Sequence, residues 1–250
     1  MDTEQIANAF LLLPAAVFGV MGRRARRQGR TTFGLDLRGG AWREVLRGLL
    51  FGVVWMAVAT LALLGAGAID VTGLRFEALG LVYLTVYFGV LFVLEEIVFR
   101  GLLLTGLGVV AGQGAAVAIS SVLIAVPYAF ASSAGVMAVA GSVLVNLVIG
   151  AARWRTGRIW FGVGLKVGWN VAMTAAGFSN AGYADLPGRS EGLGLSGPDW
   201  ITGGAFGPEA GVVTMAVGVL MLVAVARLVD TGDRGPWTIA DPSTSRGGSD

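Results

Sequence analysis

Two adjacent glutamates and an arginine, Glu95, Glu96 and Arg100, stand inside an apolar run that extends from Ala78 to about Leu107. A helix over this run is long enough to cross a bilayer, which takes about 20 residues at ~1.5 Å of rise each. A charged side chain at that depth costs at least ~2.5–3.5 kcal/mol on insertion scales, so it must be paired and turned away from lipid. Glu96 and Arg100 are four residues apart and share a helix face, whereas Glu95 is turned by about 100° from Glu96. Two roles are open to such buried carboxylates: a structural ion pair between helices, or the lining of a functional intramembrane cavity.

Further along, Lys166 is the single lysine among 18 basic residues, and it too falls within an apolar segment. Asn170 follows four residues later, so the two polar groups stack on one helix face. The ammonium either snorkels to the interface or pairs with Glu95 or Glu96. Pairing would make the set Glu95, Glu96, Arg100 and Lys166 formally neutral, which a low-dielectric interior favours. Ser120, Ser121, Pro127 and Tyr128 form another polar group. Pro127 should interrupt its helix, and the serines read as packing or interhelical hydrogen-bonding residues. Tyr128 reads either as an interface-belt tyrosine or as a donor into the cavity. A Ser-Lys dyad of Ser120 or Ser121 with Lys166 is a minor variant.

The rest of the composition narrows the chemistry. The chain has neither His nor Cys. That excludes disulfides, thiolate metal sites and any His-based dyad, and removes the usual general base and neutral metal ligand. No phosphate loop, dinucleotide fingerprint or zinc motif occurs, and neither a metal nor an organic cofactor is expected. With 55% hydrophobic and 14% charged residues over 250 positions, the class is a multi-pass membrane protein.

The elements that must position these residues follow in order. An apolar first helix is expected at about Ile6–Val20, retained because its positive charge follows rather than precedes the apolar run. Arg23, Arg24, Arg26, Arg27, Arg30, Arg38, Arg43 and Arg47 come next and read as a topology signal rather than a nucleic-acid site. Further helices are expected at about Val45–Ala66, Ala78–Leu107, Gln113–Ala131, Val136–Ala152, Ile159–Gly177 and Glu209–Val229. The stretch Gly101–Gly112 could hide a break that makes eight segments of seven. Arg153, Arg155 and Arg158 interrupt between helices, and 178–208 reads as a Gly/Pro-rich loop with no strand pattern. Glu209, after Pro208, reads as favouring the start of the last helix. The fold class is therefore all-α, a transmembrane bundle forming one domain over 1–229, with a disordered polar tail over 230–250. The arginine distribution puts the N-terminus outside and the C-terminus in the cytoplasm.

The segment Glu95-Glu96-Ile97-Val98-Phe99-Arg100 resembles the first motif, Glu-Glu-x-x-x-Arg, of the CPBP (Abi) family of intramembrane glutamic endopeptidases. That family includes the type II CAAX prenyl proteases and bacteriocin-processing enzymes. Its second motif, Phe-x-x-x-His after a Ser-Ser pair, is matched by Ser120-Ser121 with Ile124 and Tyr128 in the Phe and His places. Its third, His-x-x-x-Asn, is matched by Lys166 and Asn170. Ile159-Trp160 and the segment 203–210 also resemble bacterial members, so the resemblance covers about 80–215. It implies a bacterial plasma-membrane protein in which Glu95 activates water against a peptide carbonyl, with Tyr128 and Asn170 as oxyanion donors. Both motif histidines are replaced here, one by a permanent cation.

Three functions follow as expectations. The first is a protein with an impaired site that holds a peptide or membrane-protein partner within the bilayer. The second is an active endopeptidase using Glu95 as base with help from Tyr128, Lys166 or Asn170. The third is an ion or solute carrier along the buried charges.

Overall fold

A computed structural model describes residues 33–37, 39–75, 77–130, 135–182, 186 and 189–229. The expected first helix at 6–20, the arginines from Arg23 to Arg30, Arg38 and the tail 230–250 lie outside the described residues. The described part is helical almost throughout: α1 (Ala41–Gly65), α2 (Ala78–Glu96), a π-helical stretch (Ile97–Leu103), α3 (Leu104–Ala111), α4 (Gln113–Ala125), α5 (Val136–Thr156), α6 (Trp160–Ala175), α7 (Asp199–Thr202) and α8 (Val212–Leu228). All six helices expected within this region are present, and the fold is an all-α membrane bundle. Among the described residues, four segments are long and apolar enough to cross a membrane: 41–65, 78–111, 113–130 and 136–156. Large apolar side chains cover the outer faces of α1 and α2, where Leu61 and Leu79 are 66% and 88% exposed; in a bilayer these faces meet lipid rather than water.

Several expected boundaries are corrected. The helix α1 begins four residues before Val45, because Glu44 sits in its first turn, where a carboxylate complements the helix dipole. Its oxygen also pairs with Arg158 at 2.9 Å. The segment Arg153–Arg155 continues α5 instead of interrupting it; Gly157, at φ +70°, ends the helix in the left-handed conformation. The suspected break near Gly101–Gly112 is a change of helix type, with the chain leaving the helix at Gly112, φ +79°. Pro127 acts as expected: α4 ends at Ala125 and a 3₁₀ turn, Val126–Phe130, follows.

The sequence shows no strand pattern, yet two strands form. They are β1 (Ile69–Arg75), between α1 and α2, and β2 (Glu191–Leu195), inside the loop read as irregular. They pair antiparallel, Ile69 opposite Leu195 and Arg75 opposite Glu191, with an irregularity between Val71 and Arg75. Alternation cannot reveal such short strands when one is Gly-rich and its partner lies more than a hundred residues away.

The helix α6 is the axis of the molecule. Its run from Phe161 to Trp169 is buried throughout. Trp55 of α1 packs edge-on to Trp169 at 4.6 Å between ring centres and donates to the Thr214 carbonyl of α8 at 3.1 Å. Backbones of α1 and α6 come together through two small-residue ladders, Gly48 and Gly52 on one helix and Gly164 and Gly168 on the other. A β-carbon at Gly164 would lie 2.0 Å from the Val45 carbonyl oxygen, and one at Gly168 would lie 2.2 Å from that of Leu49. Without a strong hydrophobic force between helices in lipid, such close backbone packing is what holds them together.

This contact fixes the depth and rotation of α6, and so of Lys166. Gly164→Ala is expected to lower stability by about 1–3 kcal/mol, the usual cost of overpacking. Thermal unfolding of the purified protein in detergent measures it, with Gly65→Ala, where an added β-carbon meets nothing within 4 Å, as the neutral control.

Candidate functional site

The geometry begins where α2 passes into the π-helical stretch. Its wider turn shifts Arg100 around the axis relative to its α-helical position over Glu96, a change of register common at functional sites. Although Glu96 and Arg100 are four residues apart, no salt bridge joins them among the described residues. The buried guanidinium reaches across the bundle instead, donating from Nη1 to Ser120 Oγ at 2.7 Å and from Nη2 to the Asn146 carbonyl at 2.6 Å and Asn146 Oδ1 at 3.1 Å. Arg100 therefore ties three helices together.

Glu96 and Glu95 receive their cation from α6. Lys166 Nζ lies 2.6 Å from Glu95 Oε1 and 2.8 Å from Glu96 Oε1. Of the two readings for Lys166, pairing is the one the structure bears out; the side chain does not snorkel. Gly162, one turn before Lys166, allows α6 to press against the acid: a β-carbon there would stand 2.8 Å from Glu96 Oε2. Glu96 is completely buried and its Oε2 accepts no hydrogen bond among the described residues. Glu95 is partly open, with 21% of its side chain accessible. The ammonium also lies 5.7 Å over the centre of the Phe92 ring, within range of a favourable cation–π contact.

Beside this ion pair is a cavity of about 60 Å³, lined by Glu95, Tyr128, Asn146, Lys166, Asn170 and Glu209, among others. It has room for a few water molecules at roughly 10–15 Å³ of probe-occupied volume each. It is far below the ~300–1,000 Å³ of a site that encloses a larger ligand. Tyr128 lines it from the 3₁₀ turn, its ring edge-on to Phe206 at 6.1 Å. The side-chain amide of Asn170 donates back to the Lys166 carbonyl at 2.7 Å. Ser120 and Ser121 both donate to the Val117 carbonyl, at 3.1 and 2.7 Å. Neither bonds to Lys166, so the Ser-Lys dyad is not formed. Among the described residues no three His, Cys, Asp or Glu side chains are grouped to hold a metal ion.

Three lining residues escape the sequence reading. Asn146 is a lone amide in an apolar span, four residues after Ser142, whose carbonyl accepts its Nδ2 at 2.9 Å. A polar side chain at that depth was the available signal. Asn180 lines the cavity from the turn beyond α6. Glu209, expected to favour the start of the last helix, sits in the 3₁₀ turn Pro208–Ala210, and its carboxylate points back to the cavity instead. Its Oε2 accepts from Trp169 Nε1 at 3.3 Å and its Oε1 from the Ala181 amide at 2.9 Å. Burial outweighs these two bonds and pushes its pKa up from the ordinary 4.5 to about 7.

Two further facts come from comparison with known proteins. Residues 77–172 match the family described as type II CAAX prenyl endopeptidase, Rce1-like. No curated protein and no solved structure matches the chain.

Removing the ammonium should expose how much the two carboxylates depend on it. Lys166→Met is expected to destabilise the fold by about 3–5 kcal/mol, because it leaves buried charge without a partner. Adding Glu96→Gln to that variant should recover part of the loss, and thermal melts of the single and double variants test both statements. Glu209 gives a separate pH signature. Its folded-state pKa lies above the unfolded value, so the folded state binds the extra proton between about 4.5 and about 7 and loses stability as pH rises through that window. Glu209→Gln should flatten this part of the melting-temperature profile.

Proposed function

We propose that this chain, whose residues 77–172 match the type II CAAX prenyl endopeptidase, Rce1-like family, keeps that family's membrane scaffold while its cavity binds a peptide or membrane-protein partner without cleaving it. The observation that carries this reading is the position of the Lys166 ammonium, 2.6 and 2.8 Å from the two glutamates. Glutamate-driven hydrolysis requires the carboxylate to take a proton from water as the hydroxide attacks the carbonyl carbon. Proton transfer to Glu95 would withdraw negative charge from beside a buried ammonium, which in a low-dielectric interior opposes the step. The position that the family resemblance assigns to a histidine, able to give and take a proton near neutral pH, is filled by a side chain that serves here as a fixed cation.

The remaining groups suit binding better than turnover. Tyr128, Asn146 and Asn170 can donate hydrogen bonds, and Asn146 and Asn170 can also accept them. A segment of extended backbone at the cavity mouth could be held by such groups. The apolar outer faces of α1 and α2 would keep that segment's membrane anchor in the bilayer.

A second reading, an active endopeptidase with Glu95 as base, has one observation in its favour. Glu95 lines a cavity of water-holding size together with Tyr128 and Asn170 as possible donors to an oxyanion.

One assay separates the two. Purified protein in lipid nanodiscs is incubated with a prenylated CAAX-type peptide and with a mixed peptide library, and products are read by mass spectrometry. The expected result is no product above that of Glu95→Ala, with cleavage gained when Tyr128→His and Lys166→His are introduced together. Cleavage by the natural sequence that disappears in Glu95→Ala would overturn the binding reading and establish the second.

A further inference from the structure

Glu209 is the charged group that the reading above leaves unused. The loop that carries it is tightly nested. A β-carbon at Gly203 would lie 1.8 Å from the Gly207 carbonyl oxygen, one at Gly207 would lie 2.3 Å from that of Ser179, and one at Gly211 would lie 2.3 Å from that of Ile201. Gly141 of α5 admits the Glu209 carbonyl itself, with 2.0 Å to an added β-carbon. Gly203 and Gly207 also take φ of +86° and +122°, which side chains other than glycine rarely adopt. So many close backbone approaches hold one carboxylate at a fixed place in the cavity wall.

The cavity already displays how it holds an ammonium. On the α2 side, the chain's own Lys166 rests between carboxylates and above the Phe92 ring. Another part of the lining also sets a carboxylate beside aromatic rings. Glu209 lies there with Trp169, whose indole donates to it, and Tyr128 lines the same space. Among the described residues no cation pairs with Glu209. The charged and titratable groups around this cavity are Glu95 on α2, Lys166 on α6 and Tyr128 on the 3₁₀ turn, with Glu96 behind Lys166 and Arg100 behind Asn146; Asp199 stands behind Gly204. Lys166 is engaged by two carboxylates, so the local balance is negative when Glu209 is ionised.

We propose that the Glu209 wall is a binding site for a primary ammonium, the group presented by a lysine side chain or a polypeptide's amino terminus. This names the chemistry of the partner and rests on the reading of the cavity as a partner-binding site. A primary ammonium has three N–H donors and needs acceptors on several sides. Glu209 and the side-chain oxygen of Asn170 lie along the one cavity, and the rings of Trp169 and Tyr128 add an electron-rich surface. The space of about 60 Å³ suits a group of a few heavy atoms, such as the end of one side chain, better than a bulky quaternary ammonium. Because the ammonium binds the ionised carboxylate, lowering pH below about 7 weakens it. One pH unit on either side of that value separates apparent affinities by about tenfold.

The test uses the full chain in lipid nanodiscs and methylammonium chloride as the probe, with tetramethylammonium chloride at equal ionic strength as control. Melting temperature should rise with methylammonium alone, more steeply at about pH 8 than at about pH 6, and the rise should vanish in Glu209→Gln. No rise beyond the control, or an equal rise in Glu209→Gln, overturns the proposal. Should that variant fail to fold, infrared spectroscopy of the unsubstituted protein decides. At neutral pH methylammonium should convert a buried protonated-carboxyl band to carboxylate, and an unchanged band overturns the proposal. Failure to bind any partner while methylammonium still binds would count against the partner-binding reading alone.

Discussion

One buried ammonium between two carboxylates organises this molecule. Glu96 is fully enclosed, and an enclosed carboxylate in an apolar bundle is costly unless a cation lies in contact. That cation comes from a helix far away in the chain, so the ion pair joins α2 to α6 across the interior. The short contacts, 2.6 and 2.8 Å, supply the attraction that offsets part of the cost of removing these charges from water. The same contact that joins the helices also places a cation beside both carboxylates.

Everything around the pair serves to hold it in place. Glycines at 48, 52, 164 and 168 let α1 and α6 meet backbone to backbone, and Gly162 lets α6 close on Glu96. Arg100, which might have neutralised a glutamate directly, is turned by the π-helical stretch toward Ser120 and Asn146. It balances charge at a distance and anchors α2 to α4 and α5 through hydrogen bonds. Each side chain then has one partner set, and the cavity takes its shape from what these partnerships leave over.

The sequence revealed the bundle and the centre of the site for plain physical reasons. Apolar runs of membrane-spanning length cannot be mistaken, and ionisable residues inside them, Glu95, Glu96, Arg100 and Lys166, stand out because burial makes them costly. Pro127 marked a helix end correctly, since its missing N–H acts locally. What stayed hidden depends on distant contacts. The strands β1 and β2 pair across a large separation, the turn of Arg100 depends on a helix register that residue spacing does not encode, and Glu209 looks like a loop residue until the loop is folded back. The close approach of α1 and α6 was written in the Gly-x-x-x-Gly spacing of both helices but becomes meaningful only when they are seen as neighbours.

The small antiparallel sheet has a mechanical consequence. Its first strand links α1 to α2, and its second belongs to the long connection between α6 and α8, the connection that also delivers Asn180 and Glu209 to the cavity. The ladder therefore ties the connection that carries Asn180 and Glu209 to the segment between α1 and α2, so the two cannot part without breaking backbone hydrogen bonds.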